Sequence, residues 1–531
     1  MKTKFIFVTG GVISSLGKGI IASSIGQLLK SRGYKIFMIK FDPYINIDPA
    51  NMSPLQHGEV FVTDDGAQTD LDLGHYERFI DENLSKYSSL TTGKIYQKVI
   101  ERERTNYYKG STVQVIPHIT DEIKKRLKSA AKHSDADIVI CEVGGTVGDI
   151  ESLPFIEAIR QTRRDFGFSN TLFLHTTYVP YLRSSNEIKT KPTQHSIKEL
   201  RSIGIQPDII FLRSEIPIPK LEKDKIALYS DLPLSAIYDC IDVNILYEVI
   251  INVDKQKTDE YILNHFLLPT NKSNITPWVN LVNQINKTSK TINIALVGKY
   301  VALHDAYMSV VEALKHAAYY HNVNVNINWY NAEKLNRDNV NEALKNNEGI
   351  IVPGGFGERG VDGLIATIQY ARTKNIPIFG ICYGMQMMTI EYARGVLNMS
   401  DANTTELDSE TKHPLFILNP KSKDVSMKET GLILGLNEIK IKTRSKLFDI
   451  YQNEVIYERH RHRYEFNNDF VSIFSNSDFS LNAINTKTNN IEAIELANHK
   501  FFIGVQYHPE FKSRPLRAHP LFISFIKASL E

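Results

Sequence analysis

The sequence predicts an α/β protein with two parallel-sheet domains. Three observations carry that reading: the length, an alternation of short apolar strands with helical periods in both halves, and a change of texture between the halves. At 531 residues the chain exceeds one ordinary hydrophobic core. In the first half Phe5 to Val8 reads as a strand, glycines follow, and Ile20 to Lys30 has helical spacing up to Gly33. Another strand begins at Ile36, and further strands are expected at Asp137 to Val143, Thr171 to Leu174 and Ile209 to Leu212. Such alternation favours a parallel sheet with helices on both faces. From 268 to 290 Asn, Lys, Ser and Thr accumulate with Pro269 and Pro277, which reads as a linker holding one short helix near Trp278 to Gln284. Ile292 to Gly298 then opens a second α/β unit, with strands at Ile350 to Val352 and Ile378 to Ile381. Lys421 to Gly435 reads as an exposed loop. Domains are expected at 1–267 and 291–531, joined by 268–290.

The bulk properties exclude several classes. A hydrophobic content of 42% is that of a soluble globular protein, and a formal net charge of +2 gives no electrostatic case for nucleic acid or a membrane as partner. Cys141, Cys240 and Cys382 are the 3 cysteines. Their spacing forms neither a metal site nor a disulfide framework, which fits a reducing compartment. The chain runs directly into a strand without a leader pattern, and no stretch is apolar enough to span a bilayer. A cytoplasmic protein is expected.

Gly10-Gly11-Val12-Ile13-Ser14-Ser15-Leu16-Gly17-Lys18-Gly19 joins the first strand to the first helix. Glycines let the backbone curl so that N–H groups face an anion, and the helix N-terminus and the Lys18 ammonium complete a phosphate cradle. The loop departs from a strict Walker A pattern: Gly19 stands where Ser or Thr offers a hydroxyl to magnesium. The metal then needs other oxygens. Asp72 and Glu142, the latter closing the apolar run Ile138 to Cys141, are the candidates, since Mg²⁺ takes few protein oxygens besides phosphates and waters. Read blandly, the loop is a glycine turn with a solvated lysine and Asp72 a surface carboxylate; an acid closing a buried strand needs a partner in any case.

A second polar cluster comprises Asp149-Ile150-Glu151, after a glycine-rich run, and Lys189 to Ser196. Lysines, hydroxyls and an amide in a proline-fixed loop suit a second phosphorylated ligand; the same composition also suits a solvated loop.

Pro377 to Gln386 is an apolar run broken at Gly380-Ile381-Cys382-Tyr383-Gly384. It reads as a buried strand turning sharply into a helix, lifting the thiol into solvent with the helix N-terminus behind it. Downstream, His508 and Glu510 stand two residues apart, on one face if the segment is a strand. Nucleophile, base and orienting carboxylate are the parts of acyl transfer. The glycine loop Pro353 to Gly357, with the amide after Cys382, can hold an oxyanion. A buried cysteine is otherwise an inert small hydrophobe, which is the reading for Cys141 and Cys240.

With these residues in view, the chain resembles the CTP synthase family along nearly its whole length. Gly380-Ile381-Cys382 through Gln386 and His508-Pro509-Glu510 resemble a class I glutamine amidotransferase, a likeness shared with several amidotransferases. Ser14 to Gly19, Asp42 to Asn46, Gln56 to Val60, Asp72 to Phe79, Gly144 to Glu151 and Lys189 to Gln194 resemble the synthetase half of that family alone. The resemblance implies an N-terminal P-loop-like amidoligase domain and a C-terminal class I glutamine amidotransferase domain. It implies that ATP phosphorylates O4 of UTP and that ammonia from glutamine displaces the phosphate, giving CTP.

Carried over by position, the resemblance assigns Cys382, His508 and Glu510 to catalysis. Ser15, Leu16, Gly17, Lys18, Gly19, Ile20 and Asp72 would hold ATP, with adenine near Ile241, Asp242 and Val243; relatives often carry Lys at 241. Asp72 and Glu142 would hold Mg²⁺. Ser14, Asp149, Ile150, Glu151, Lys189, Thr190, Lys191, Pro192, Thr193, Gln194 and Lys225 would bind UTP, and CTP as feedback inhibitor. Gly355, Tyr383, Gly384, Met385, Gln386, Glu406 and Arg463 would bind glutamine. Position 383 is usually Leu, so the ring adds bulk beside the sulfur. His57 and Val60 would flank the ammonia passage. GTP would be an allosteric activator, with the glycine loop through Arg359 contributing to its site. A homotetramer, and filaments built from it, are further implications. An amidoligase with another acceptor, or a nucleotide-binding polymer with little turnover, are the alternatives.

Overall fold

The computed structural model describes residues 3–419, 431–475 and 477–531. Most of the loop expected at 421–435 lies outside the described residues, and its last positions already belong to the strand Ile433–Ile441. The chain forms two compact units. One contains Met1–Pro49 with Asp72–Val282, the other Ala50–Leu71 with Asn283–Glu531.

The first unit is built on seven strands in the order Ile237–Ile241, Ile209–Ser214, Thr171–Tyr178, Lys4–Gly10, Ile138–Val143, Ile36–Asp42 and Ser89–Thr91. Every neighbouring pair is parallel. Lys4–Gly10 and Ile138–Val143 are buried at every position, the pattern of strands covered on both faces. The order reverses at Lys4–Gly10, whose successor Ile36–Asp42 lies to one side and Thr171–Tyr178 to the other. Ligands of open parallel sheets bind outside the carboxyl ends at such a point, where the Gly10–Gly19 loop begins.

The second unit has nine strands, in the order Asn324–Asn331, Thr291–Gly298, Gly349–Val352, Ile378–Ile381, Phe502–Val505, Ile491–Leu496, Phe479–Asn485, Ile433–Ile441 and Val455–His462. The first five are mutually parallel, and the remaining pairs are antiparallel. The antiparallel part follows from chain economy: the turn between Phe479–Asn485 and Ile491–Leu496 is too short for a crossover helix.

The compact units depart from the contiguous division expected at 268–290. Trp278 is buried to 1% exposure and its ring lies 5.4 Å from that of Tyr247, so the helix Thr276–Asn286 begins as core of the first unit rather than as a free linker. Residues 50–71 leave the first unit and form the hairpin Phe61–Val62/Gln68–Thr69. Asp64 pairs with Arg459 at 2.6 Å, and the Phe61 ring meets Phe511 edge-on at 5.0 Å. An excursion of that kind leaves no periodic trace in sequence.

Candidate active site

The phosphate loop coils through three positive-φ residues, Val12, Ser15 and Gly17, into the helix Lys18–Ser31. Lys18 folds back over Gly10, where an added Cβ would lie 2.6 Å from Lys18 Cδ. Its Nζ donates to the Gly145 carbonyl at 2.7 Å. Burial pushes the Lys18 pKa down, against the pull of Glu142. A desolvated ammonium of this kind gains from any anion brought to it.

Glu142 closes the strand Ile138–Val143, and Asp72 opens the helix Asp72–Ile80. Tyr76 donates its hydroxyl to Glu142. Lys40 Nζ lies 3.3 Å from Glu142 Oε1 and also pairs with Asp72. Burial raises the Glu142 carboxyl; Lys40 pulls it back and Asp72 pushes it further up. An added Cβ at Gly19 would lie 2.9 Å from Glu142 Oε2 and 3.2 Å from Tyr76 Cε1. The departure from Walker A thus has a steric cause: the carboxylate occupies the space a Ser or Thr side chain would need.

Arg213 donates to the Ser15 carbonyl at 2.9 Å and pairs with Asp242 at 3.1 Å. That links the end of the strand Ile237–Ile241, with half-buried Ile241 and Val243, to the loop. Leu16 is buried, Ile20 half-buried and Ser14 exposed.

Asp149 accepts from the Thr146 N–H at 3.2 Å, and Ile150 and Glu151 are exposed in the turn that follows. The helix Lys191–Ser202 carries Pro192 in its first turn. Thr193 is buried and donates to the Tyr178 carbonyl at 3.0 Å; Gln194 Nε2 donates to Thr190 Oγ1 at 3.2 Å. Lys189 pairs with Glu187, while Lys191 and Lys225 are exposed. The helix meets the phosphate loop through Ser196, 2.7 Å from His175 Nε2 and hard against Gly11. Burial lowers the His175 pKa to about 3, and Lys18 lowers it further, so the imidazole is neutral. No hydrogen bond or ion pair among the described residues draws Lys189, Lys191 or Lys225 to the Lys18–Asp72–Glu142 cluster.

The strand Ile378–Ile381 ends at Cys382, whose φ of 52° and ψ of −104° make the turn into the helix Tyr383–Gly395. Such a conformation costs about 1–3 kcal/mol, offset by packing on all sides. Cys382 N donates to the Val505 carbonyl at 2.7 Å, and Gly384 meets the Val352 carbonyl so closely that a Cβ would lie 2.1 Å from it. The thiol does not reach bulk solvent: Cys382 is 2% exposed and opens into a cavity of about 80 Å³, whose wall includes Glu59, Val60, Gly355, Arg461 and His508. The Cys382 thiol faces the Arg461 carbonyl at 3.7 Å, and Gln506 Nε2 faces the sulfur at 3.6 Å.

His508 Nδ1 lies 2.7 Å from Glu510 Oε1. The two are brought together by the turn Pro509–Lys512 after the strand Phe502–Val505, not by a shared strand face. His508 and Cys382 both border Gly354, where an added Cβ would lie 3.0 Å from His508 Cε1 and 3.7 Å from Cys382 Cβ. Burial alone would lower the His508 pKa; Glu510 and Cys382 outweigh it and raise it to about 10. The imidazole is therefore charged beside its carboxylate at neutral pH.

Met385 and Gln386 are buried in the same helix, Gln386 Nε2 donating to Gln506 Oε1 at 3.3 Å. Glu406 accepts from the Gly357 N–H at 2.7 Å; burial raises its pKa, against Gly357, Lys299 and Arg463. Arg463 itself is exposed. The Tyr383 ring forms no part of the cavity wall; its hydroxyl donates to the Gly357 carbonyl at 2.7 Å. The bulk expected beside the sulfur is thus directed under the glycine loop. His57 Nε2 lies 3.0 Å from Asp70 in the segment that contributes Val60.

The comparisons with known proteins fit this geometry. Residues 4–268 match the family model for the CTP synthase N-terminus, and residues 302–528 match that for class I glutamine amidotransferases. The chain is 57% identical over 532 residues to the CTP synthase of Phytoplasma australiense, covering 100% of this chain and 97% of that one. It is 54% identical over 529 residues to that of Bacillus subtilis, covering 100% and 99%. The chain belongs to the CTP synthase family. It is a glutamine-hydrolysing ligase that aminates UTP to CTP at the expense of ATP, in pyrimidine biosynthesis. Among solved structures, the acivicin-bound glutaminase domain of Trypanosoma brucei CTPS is 35% identical, with a TM-score of 0.41 over 45% of this chain and 94% of that one.

For a CTP synthase family member, three residues at these centres escaped the sequence reading. Lys40 is a lysine in the otherwise apolar run Ile36 to Phe41, and a charge inside a buried strand is the signal that marks it. Arg213, at the end of its own apolar strand, carries the same mark. Lys299 directly follows Thr291–Gly298 and is 4% exposed, a lysine at the carboxyl end of a parallel strand. No helix among the described residues is long and apolar enough to cross a membrane.

Proposed function

We propose that the two half-reactions run at the two centres described. In the second unit the Cys382 sulfur, its proton passed to His508, attacks the amide carbon of glutamine. The His508 imidazolium gives its proton to the departing ammonia, and the thioester is then hydrolysed by water deprotonated by the same ring. Glu510 holds Nδ1, fixing which nitrogen faces the sulfur. N–H groups of Gly354 to Phe356 and the amide of Tyr383 stabilise the oxyanion. Glu406 and Arg463 bind the α-ammonium and α-carboxylate of glutamine. The observation that carries this reading is the His508 Nδ1–Glu510 Oε1 pair at 2.7 Å, with His508 and Cys382 lining one cavity.

In the first unit Lys18 neutralises the phosphoryl group passing from ATP to O4 of UTP, and ammonia then displaces phosphate at C4. Asp72 and Glu142 fit a magnesium ion: one half-buried and one buried carboxylate share Lys40, and a divalent cation would offset the burial and the Asp72 repulsion that raise Glu142. Bound there, it would supply charge neutralisation on the β- and γ-phosphates. Lys40 holds the two carboxylates in register. Ser14, the Asp149–Glu151 turn, Lys189 to Gln194 and Lys225 bind UTP and, as inhibitor, CTP. GTP activation through the loop ending at Arg359, a homotetramer, filaments and a cytoplasmic location belong to the same reading.

The test is CTP formation from glutamine and from ammonium by wild type and Cys382→Ala. The expected result is loss with glutamine alone. Loss with both nitrogen sources, or with neither, overturns the division of labour.

A further inference from the structure

The glycine loop after Gly349–Val352 contains two consecutive peptide groups fixed from outside. The Phe356–Gly357 peptide has its carbonyl on Lys299 Nζ at 3.1 Å and its N–H on Glu406 Oε1 at 2.7 Å. The next peptide has its carbonyl on both Lys299 Nζ and the Tyr383 hydroxyl, the latter at 2.7 Å. Between them stands Gly357 at φ 75°, a residue that rotates freely unless held. Lys299 is 4% exposed, and its ammonium lies 4.0 Å from the centroid of the Tyr383 ring. Its own carbonyl accepts from Arg359 Nη2 at 2.9 Å. One buried cation thus binds the loop, and an aromatic face at position 383 supports the cation.

We propose that Lys299, seated on Tyr383, is a positioning residue for glutamine hydrolysis that fixes the oxyanion-binding glycine loop beside Cys382. Rotation of either fixed peptide would exchange N–H for C=O at the loop, turning a donor surface into an acceptor surface. It would also release Glu406 from Gly357. Leucine, the usual residue at 383 in the family resemblance, offers neither the hydroxyl nor the aromatic face, so this chain carries its own version of the support. The inference rests on the reading of Cys382 as the glutamine nucleophile.

Titration gives a readout that a passive packing role would not move. Burial lowers the Lys299 pKa to about 8; Glu406 and Glu333 oppose the fall and Arg359 adds to it. Tyr383 and Tyr300 are the other ionisable neighbours, both held un-ionised by burial. The lysine is charged below that value and loses its charge as pH rises through it, so kcat/KM for glutamine should fall across about pH 8.

The experiment measures glutamine- and ammonium-dependent CTP formation by the full chain, with pH profiles, in Lys299→Met and Lys299→Arg. Lys299→Met should raise KM for glutamine at least ~10-fold and abolish the limb near pH 8, with ammonium-dependent kcat within about twofold of wild type. Lys299→Arg should restore KM and move the limb upward. A wild-type KM and an intact limb in Lys299→Met overturn the proposal. If Lys299→Met does not fold, an identical limb in wild type and Lys299→Arg overturns it. Cys382→Ala separates the two levels: if that variant still uses glutamine, the nucleophile reading has failed; if it does not, the Lys299 variants judge the positioning role alone.

Discussion

The two proposed centres of this chain are built to different degrees of completion. Around Cys382 the proposed reacting groups are buried and close together: the His508–Glu510 pair, the Gln506 amide beside the sulfur, and a cavity of about 80 Å³ that borders both Cys382 and His508. In the first unit only the floor is finished. Lys18, Asp72 and Glu142 converge there, but the cations and amides of the second cluster lie in solvent or pair locally, as Lys189 does with Glu187. The difference follows from substrate charge. Glutamine, a zwitterion of zero net charge, gains little from long-range attraction and needs a fixed pocket, whereas a triphosphate brings enough charge to draw exposed lysines to it on arrival. Carboxylates left facing each other would repel, and Lys40 spans them meanwhile.

The largest effects should come from removing one reacting group from each centre. Lys18→Ala should reduce CTP formation at least ~10³-fold with either nitrogen source, because phosphoryl transfer precedes both. Cys382→Ala should match that loss with glutamine and leave the ammonium rate near wild type. Steady-state assays with the two nitrogen donors check both, and an ammonium rate unaffected in Lys18→Ala would remove the cradle from the mechanism.

Glu510→Gln tests how far the finished centre depends on its own electrostatics. Glutaminase kcat should fall ~10²-fold or more, the usual range for disabling a positioned base. The sign of the accompanying pKa change is fixed. Glu510 raises His508, so its neutralisation must lower the value from about 10 toward that of a free imidazole. Histidine-labelled NMR across pH 5–10 on the variant reads that shift directly. An unmoved titration would show that Cys382 alone sustains the charge.

Gly19→Ser probes the unfinished centre and should have a smaller effect. The added side chain meets Glu142 Oε2 at 2.9 Å. Glu142 must retreat from Tyr76, so the Mg²⁺ requirement should rise and kcat fall ~10-fold, as expected when a metal-holding group is displaced. Activity against Mg²⁺ concentration checks it; an unchanged curve would mean the carboxylate has room to spare.

What could be read from the sequence tracks the same contrast. The strand and turn at Cys382 are contiguous, so residue types alone delimit the nucleophile, and the first-unit strands fall where apolar runs end at glycine or an acid. The burial of the sulfur was not legible, because the groups that face it, the Arg461 carbonyl and the Gln506 amide, lie far along the chain from Cys382. Nor was the segment 50–71, whose anchors, Arg459 and Phe511, lie roughly four hundred residues away. His508 and Glu510 meet as the sequence reading expects, but through a turn after Pro509 rather than a strand face. Lys40 and Lys299 were overlooked because each is a lone charge in an apolar setting, a pattern with meaning only once partners are known.

The smallest expected effect lies at Tyr383, where the family resemblance leads one to expect Leu. If Tyr383 crowded the sulfur, Tyr383→Leu would improve glutamine use. The ring instead lies outside the cavity wall, with its hydroxyl on the Gly357 carbonyl and its face under Lys299. A hydrogen bond of that kind contributes about 1 kcal/mol and a partly desolvated cation–π contact about as much again. With about half to two-thirds of that sum expressed in glutamine binding, their loss should raise KM for glutamine roughly 5- to 10-fold, with a smaller change in ammonium-dependent turnover. Tyr383→Phe, which keeps the face and drops the hydroxyl, should fall between wild type and Tyr383→Leu at about 3-fold. A lower KM in Tyr383→Leu than in wild type would restore the steric reading and would make the finished centre a compromise with its own tyrosine.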